Sequence, residues 1–301
     1  MIDNSELELN QTSSTQVEIP IPKDAERIPE ETVGQLVSEI VSFYNLPPEV
    51  KAKGISSQVY KVSRKELAEI YLIQLQRQRA RRGEDISLED LAEEHRQELA
   101  DFLNPNRDRE PRSTGRFKDI SWEDLIGAAG FYFPISANQS YIFIDRGLEG
   151  FLERRTIRHE LLHVMSGHGV DTGAGFYDIR SGRGSPLNEA VTEFLEIYQR
   201  EQDLGGRKLS DTRFQLIKDG EKIYESPYGG YLGTLGDLFW IIEESGNPMT
   251  TQNLSGIYFD HSISPDQRIE RLNEEFRARS SDQLANRQVQ FFRSLTGTLR
   301  Q

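Results

Sequence analysis

One five-residue segment, His159-Glu160-Leu161-Leu162-His163, constrains the fold of this 301-residue chain more than any other. Residues four apart lie on the same face of an α-helix, so a helix here directs both imidazoles towards one point. Neutral imidazole nitrogens bind zinc, and a neighbouring carboxylate can accept a proton from metal-activated water. The spacing therefore predicts a helix over about 152–166, ended by Gly167 and Gly169, that carries two metal ligands and a base.

The composition limits which side chains can complete such a site. The chain has no cysteine, which excludes disulfides, thiolate catalysis and cysteine-based zinc sites, and it has five histidines. A catalytic zinc ion takes three protein ligands and keeps a fourth position for water. Any further ligand must therefore be a histidine, an aspartate or a glutamate. A second predicted helix, over 187–199, carries two candidates, Glu189 and Glu193.

The start of this second helix reads Asn188-Glu189-Ala190-Val191-Thr192-Glu193. A helix with His-Glu-x-x-His followed by a helix with Asn-Glu-Ala-x-x-Glu resembles the gluzincin zinc metallopeptidases, the thermolysin-like clan, over about residues 141–193. The resemblance implies one zinc ion per chain, held by His159, His163 and Glu189. It also implies that Glu160 is the general base of peptide-bond hydrolysis and that Glu193 orients His159.

A third histidine, His168, is the alternative to Glu189 as the third ligand. Metzincin peptidases take that ligand from a histidine in the pattern His-Glu-x-x-His-x-x-Gly-x-x-His. In this chain the glycine comes four residues after His163 and the histidine five, so both are out of register. Glu189 is therefore favoured, and His168 is interpreted as a loop residue or a contact for substrate.

A peptidase also needs a donor for the negative charge that develops on the scissile carbonyl oxygen. Tyr228 and Tyr231 are candidates because the glycines between them permit close backbone approach. Tyr177 and His168 are further candidates, and packing is the alternative role for each. The resemblance implies in addition that the strand before the metal-site helix, at 141–145, pairs with an extended peptide. The substrate-binding residues expected on this strand are Tyr141, Ile142, Phe143 and Ile144.

Hydrophobic periodicity predicts an α+β fold. Aromatic and β-branched runs at 131–133 and 141–144 predict a hairpin. Together with the resemblance, this gives a zincin-like core: a small twisted sheet on the metal-site helix, a mainly helical C-terminal part, and a helical N-terminal region. The expected divisions are a disordered tail at 1–30, a helical region and linker at 31–115, and a catalytic domain at 116–301.

Charge and hydropathy argue against several classes of partner. The formal net charge of −13 argues against nucleic acid, since phosphate binding needs an excess of Lys and Arg. The basic segment 77–82 is interpreted as the solvated end of a helix. No stretch approaches the roughly 18 apolar residues that a membrane helix requires. The N-terminus also lacks the features of a secretory signal, so a cytoplasmic location is expected.

These observations predict a zinc-dependent metalloendopeptidase that acts on a protein or peptide substrate. Two other classes compete with this prediction. One is a non-hydrolytic zinc-binding interaction or regulatory module, against which Glu160 counts because a structural metal site needs no base. The other is an interaction protein whose N-terminal helices, within 31–115, dock a partner.

Overall fold

The computed structural model describes residues 21–81, 83–94, 129–136, 138–169, 173–200, 215–218, 221–225 and 228–296. The helices are α1 (Glu30–Tyr44), α2 (Pro48–Ile55), α3 (Arg64–Arg81), α4 (Gly150–Ser166), α5 (Ser185–Arg200), α6 (Gly229–Glu244), α7 (Thr251–Tyr258), α8 (Pro265–Arg279) and α9 (Ala285–Thr296). The strands are β1 (Glu26–Arg27), β2 (Gln58–Val62), β3 (Gly130–Ser136), β4 (Gln139–Asp145), β5 (Gly167–Gly169), β6 (Gly173–Ala174), β7 (Gln215–Lys218) and β8 (Glu221–Glu225). Residues 88–94 add a short helical segment. The chain is a mixed α+β protein.

Four strands form one sheet in the order β1-β2-β4-β3. β3 and β4 are the predicted hairpin, and they pair antiparallel with Phe131 opposite Phe143 and Phe133 opposite Tyr141. β2 pairs parallel with the other edge of β4, and β1 pairs antiparallel with β2. β4 is therefore an inner strand with both edges paired, while β3 is an outer strand.

Side chains of the sheet alternate between its two faces. Towards α3 the sheet buries a cluster of aromatic and β-branched residues, Tyr60, Val62, Phe131, Phe133 and Phe143. On the opposite face Val59, Ile142 and Ile144 enter the main core, which also contains the inner side of α4. Because both faces are covered, the inner strands consist largely of apolar residues. The sheet thus provides a rigid support for the helix that carries the two histidines.

The N-terminal segments belong to this same core, which differs from the expected division of the chain. Within the tail expected at 1–30, β1 joins the sheet and Ile28 is buried. Within the region expected at 31–115, β2 supplies an inner strand, and α1 and α2 pack against α4. Helical periodicity gave α1 an apolar face but did not indicate which element that face covers. Residues 1–20 and the expected linker at 104–115 lie outside the described residues.

The C-terminal helices hold α5 in place beside α4. α5 packs on both α4 and α6, and α9 packs on α5 and α6. Capping boxes begin α7 and α8, formed by Thr250 with Asn253 and by Ser264 with Gln267. Among the described residues, no helix combines the length and the apolar character needed to span a bilayer.

Candidate metal centre

Helix α4 carries the two predicted histidines through the interior of the protein. From residue 155 to its end, every residue of this helix except Arg158 is buried, because α4 packs against the sheet, against α1 and α2, and against α5. His159 and His163 are 4% and 3% exposed and lie one turn apart on the side that faces α5. The helix ends at Gly167, as predicted.

Glu189 of α5 completes a cluster of three metal-binding side chains. Its Oε2 atom lies 3.5 Å from His159 Nε2 and 3.4 Å from His163 Nε2, and the two Nε2 atoms are 3.2 Å apart. Around a tetrahedral ion with bonds of about 2.0–2.1 Å, neighbouring donor atoms lie about 3.3–3.4 Å apart. The three donors therefore have the spacing of a tetrahedral metal site. The Glu189 side chain is 25% exposed, so the cluster reaches solvent on its side.

The Nδ1 nitrogen of each imidazole is hydrogen-bonded to α5. His159 Nδ1 is 3.1 Å from Oε2 of Glu193, the carboxylate that was expected to orient it. His163 Nδ1 is 3.1 Å from the side-chain amide of Asn188 and 3.4 Å from the hydroxyl of Thr192. Glu193 accepts the Nδ1 proton of His159, which leaves the lone pair of His159 Nε2 available to a metal. The structure thus places every predicted metal-site residue together and adds Asn188 and Thr192.

The charges of the cluster determine its protonation when no metal is bound. Burial lowers the pKa of His159, but hydrogen bonds to Glu189 and Glu193 outweigh it and raise the pKa to about 10. Burial raises the pKa of Glu189, but His163 and His159 outweigh it and hold the pKa well below its usual range. The pKa of Glu193 is lowered in the same way, by His159 and Arg155 against the effect of burial. Both carboxylates are ionised at neutral pH, which favours the binding of a cation.

Glu160 lies beside the histidines and is 6% exposed. Burial raises the pKa of its carboxyl group, and the neighbouring imidazoles of His159 and His163 oppose this rise. The carboxylate also accepts a hydrogen bond from the backbone N–H of Tyr132 in β3. A buried carboxylate with a raised pKa, held next to a metal site, is the arrangement expected of a general base.

Two tyrosine rings stack on the two imidazoles. The Tyr228 ring centre lies 5.8 Å from that of His159, with 6° between the ring planes. The Tyr132 ring centre lies 5.6 Å from that of His163, at 20°. The hydroxyl of Tyr228 is also hydrogen-bonded to Glu189. Burial, with the charge of Glu189 as a further cause, raises the pKa of both phenols, so both are neutral hydrogen-bond donors at ordinary pH.

The other candidate from the sequence, Tyr231, lies on the outer surface of α6 and is 44% exposed. Of these two candidates, Tyr228 is the one that contacts the cluster. Tyr132 was not predicted, although a signal for it existed. Its neighbours Phe131 and Phe133 form part of a hydrophobic cluster on the α3 side, and strand alternation then directs Tyr132 towards α4.

The remaining candidates, His168 and Tyr177, lie in the segment of the chain that connects α4 to α5. The hydroxyl of Tyr177 donates to the Gln78 side chain of α3 at 3.4 Å. His168 is the middle residue of β5, and its side chain lies outside the described residues. Neither residue is therefore assigned to the cluster.

A glycine in the same segment lets the loop approach the site. Gly175 has φ of 53°, and a Cβ atom there would lie 2.2 Å from Asn188 Oδ1 and 2.4 Å from the ring of Tyr258. A side chain at this position would displace both neighbours. Tyr258 is fully buried, and its hydroxyl lies 2.5 Å from that of Thr192. Gly175 therefore leaves room for residues that support His163.

The strand expected to bind substrate, at 141–145, is part of β4, and its place in the sheet contradicts that role. β2 occupies one edge of β4 and β3 the other, so its backbone groups are already paired. The side chains of Ile142, Phe143 and Ile144 are fully buried, and Tyr141 packs against the aromatic cluster under α3. The sequence predicted the hairpin but not that β2 would pair with its second strand. The outer edge of the sheet next to the site is β3.

Two cationic side chains and one imidazole converge on the carbonyl end of α4. Lys53 donates a hydrogen bond to the carbonyl of residue 167, His261 to that of 165 at 2.8 Å, and Arg268 to that of 166 at 2.8 Å. Arg268 is fully buried and also donates to the carbonyls of residues 175 and 260. Cations are favourable at the carbonyl end of a helix. These contacts tie the end of α4 to α2 and to the chain around α8.

Comparison with known proteins finds no match for this chain. No family model matches the chain, and no curated protein or solved structure matches it at a significant level. The case for a function therefore depends on the site itself.

Proposed function

We propose that this chain is a zinc-dependent metallopeptidase of the gluzincin type. The observation that carries the proposal is the spacing of three donor atoms, on His159, His163 and Glu189, which lie 3.2–3.5 Å from one another. Two imidazoles and one carboxylate with this spacing suit one tetrahedral zinc ion with its fourth position open. Zinc bound there supplies an acidified water and polarises a carbonyl group.

Glu160 acts as the general base in this proposal. It takes the proton of the attacking water and passes it to the leaving amine. Its burial next to His159 and its hydrogen bond from the backbone of Tyr132 support the assignment, because they hold the carboxylate in one place. A zinc site with a purely structural role has no use for such a group.

Tyr228 donates a hydrogen bond to the carbonyl oxygen as negative charge develops on it. Two observations support this role. Its ring is held against His159 by stacking, and its hydroxyl reaches the ligand Glu189. The phenol stays protonated at neutral pH because burial raises its pKa.

An extended peptide pairs with the outer edge of β3 in this proposal, rather than with β4. In a strand the N–H and C=O groups of one residue point to the same side. The N–H of Tyr132 reaches Glu160, so the C=O of Tyr132 faces the same open edge. Pro134 limits this edge on the far side, since it has no N–H to donate.

Metal content is the first test of the proposal. Elemental analysis of the purified protein, after equilibration in a zinc buffer, should give one zinc ion per chain. Glu189→Ala removes a ligand and should lose most of the zinc, whereas Glu193→Ala removes an orienting hydrogen bond and should weaken binding about 10–100-fold. Equal zinc retention by these two variants would assign the third ligand to another residue.

Hydrolysis is the second test, with Glu160→Gln as the matched control. Glutamine keeps the shape of the side chain and cannot take a proton, so this variant should bind zinc and lose about 10²–10⁴-fold in turnover. The measurement is cleavage of a mixed peptide library, followed by mass spectrometry, with wild type and variant at equal zinc content. If zinc-loaded wild type and the Glu160→Gln variant cleave the same peptides, or neither cleaves any, the peptidase proposal is wrong. Only the proposed metal site then remains.

A further inference from the structure

We propose that Arg155 is a positioning residue for the metal ion, acting through Glu193 and His159. Arg155 lies one turn before His159 on α4, so residues 155, 159 and 163 form one row along the helix. The inference rests on the proposed metal site, but it concerns the affinity for zinc and requires no hydrolysis.

The contacts form a continuous chain from Arg155 to the ligand nitrogen. A single nitrogen of Arg155, Nη2, donates to both carboxylate oxygens of Glu193. Oε2 of Glu193 lies 3.1 Å from Nδ1 of His159. The Arg155 side chain is 8% exposed and that of Glu193 is fully buried, so water does not compete strongly for either group.

The contact is a charge-assisted hydrogen bond, which is stronger than one between neutral groups. It holds the Glu193 carboxylate against α4, so Oε2 stays beside His159 Nδ1. His159 then carries its proton on Nδ1 and presents the lone pair of Nε2 to the ion.

Arg158 provides a matched control on the same helix. Its side chain is 12% exposed, close to the 8% of Arg155. Arg158 pairs with Glu196 at 3.4 Å and with Glu39 at 3.2 Å, and these carboxylates are not predicted to touch the metal ligands. Arg158 does not contact Glu193, although it shares Glu196 with Arg155, whose Nε lies 3.7 Å from that carboxylate. Its replacement therefore removes a guanidinium from α4 and leaves the contact between Arg155 and Glu193 in place.

The test measures the zinc dissociation constant by competition with a chromophoric chelator. Arg155→Lys keeps the positive charge but ends one bond short of the position of Nη2, so it should hold Glu193 less closely and weaken zinc binding about tenfold, with Arg155→Gln weaker still. Arg158→Gln should bind zinc within about twofold of wild type. Thermal unfolding of the zinc-free proteins shows which variants fold, and Arg155→Lys decides the question if Arg155→Gln does not fold.

A double-variant cycle tests whether Arg155 acts through Glu193. In a Glu193→Gln background, the further change Arg155→Lys should leave the zinc dissociation constant unchanged within about twofold. The proposal is overturned if Arg155→Lys binds zinc as tightly as wild type, if Arg158→Gln weakens binding equally, or if the two changes in the cycle act independently. If the wild type itself does not bind zinc, the proposed function is rejected instead. The titration of wild type, which is the first step of the same experiment, shows this.

Discussion

Helix α4 makes two different sets of polar contacts. One set lies on the face that carries His159 and His163, and the other lies at the carbonyl end of the helix. On the histidine face, side chains contact other side chains: Glu193 and Asn188 of α5 hold the Nδ1 atoms. At the carbonyl end, Lys53, Arg268 and the imidazole of His261 contact backbone oxygens. Arg268 is fully buried, whereas Lys53 and His261 are partly buried.

The difference indicates which set serves the chemistry and which serves the fold. A side chain that stacks or donates to another side chain can be replaced by a similar one without leaving a backbone group unpaired. A buried carbonyl that loses its donor has no other partner, and it costs about 1–3 kcal/mol. Substitutions on the histidine face should therefore change turnover or metal affinity, and substitutions at the carbonyl end should change stability.

The largest effect on stability is expected for Arg268→Met. Arg268 is fully buried and donates to three backbone carbonyls, so its loss should lower the free energy of unfolding by about 3–5 kcal/mol. Chemical denaturation of the zinc-free protein measures this change. Arg271→Met is the control, because Arg271 lies on the same helix, is 52% exposed and pairs with the Asp260 side chain. It should cost less than about 1 kcal/mol. Equal costs for the two variants would remove the contrast between the two regions.

An effect on turnover with little effect on stability is expected for Tyr228→Phe. The variant keeps the ring that stacks on His159 and loses only the hydroxyl, so turnover should fall about a hundredfold, or about 2.7 kcal/mol in activation free energy. Tyr231→Phe, on the exposed side of α6, should be fully active. The readouts are kcat, zinc content and the midpoint of thermal unfolding. A fully active Tyr228→Phe would make Tyr132 the next candidate for the donor.

Local signals in the sequence predicted much of this arrangement. The i, i+4 histidines, the glycines after them and the two glutamates on the next helix each depend on contacts within a few turns of chain. Ser63, just before α3, is of a residue type that caps helices, and its hydroxyl accepts a hydrogen bond from the N–H of Glu66 at 3.3 Å. Such features follow from residue type and spacing alone.

Contacts between distant segments could not be predicted in the same way. β2 pairs with β4 although more than 75 residues separate their paired positions, for example Gln58 and Tyr141, and no local pattern encodes that partner. For the same reason the edge strand was assigned to β4 instead of β3. No pattern in the sequence singles out Arg155, because its proposed role depends on Glu193, 38 positions away. The two histidines were thus predictable from spacing, and Glu189 and Glu193 from the resemblance, whereas the contacts of Arg155, Asn188 and Thr192 were found only in the folded chain.

The smallest effect expected is a change in the pH dependence of stability for His261→Gln. In the folded protein the pKa of His261 is lowered from its ordinary value of 6.5 to about 4, chiefly by burial and also by the charges of Lys53 and Arg268, which outweigh the opposing effects of the Met165 carbonyl and the Glu49 carboxylate. Between pH 6.5 and 4 the unfolded chain therefore binds a proton at this position that the folded protein does not. The neutral imidazole contributes stability that is fully present above pH 6.5 and is lost as the pH falls towards 4.

Glutamine can still donate to the carbonyl of residue 165 but does not titrate, so the free energy of unfolding of the variant should fall less steeply over this range than that of wild type. Denaturation curves at half-unit intervals from pH 7 to pH 4 give both slopes. Parallel curves would mean that His261 is protonated in the folded protein as readily as in the unfolded chain, and the carbonyl end of α4 would then tolerate a further charge.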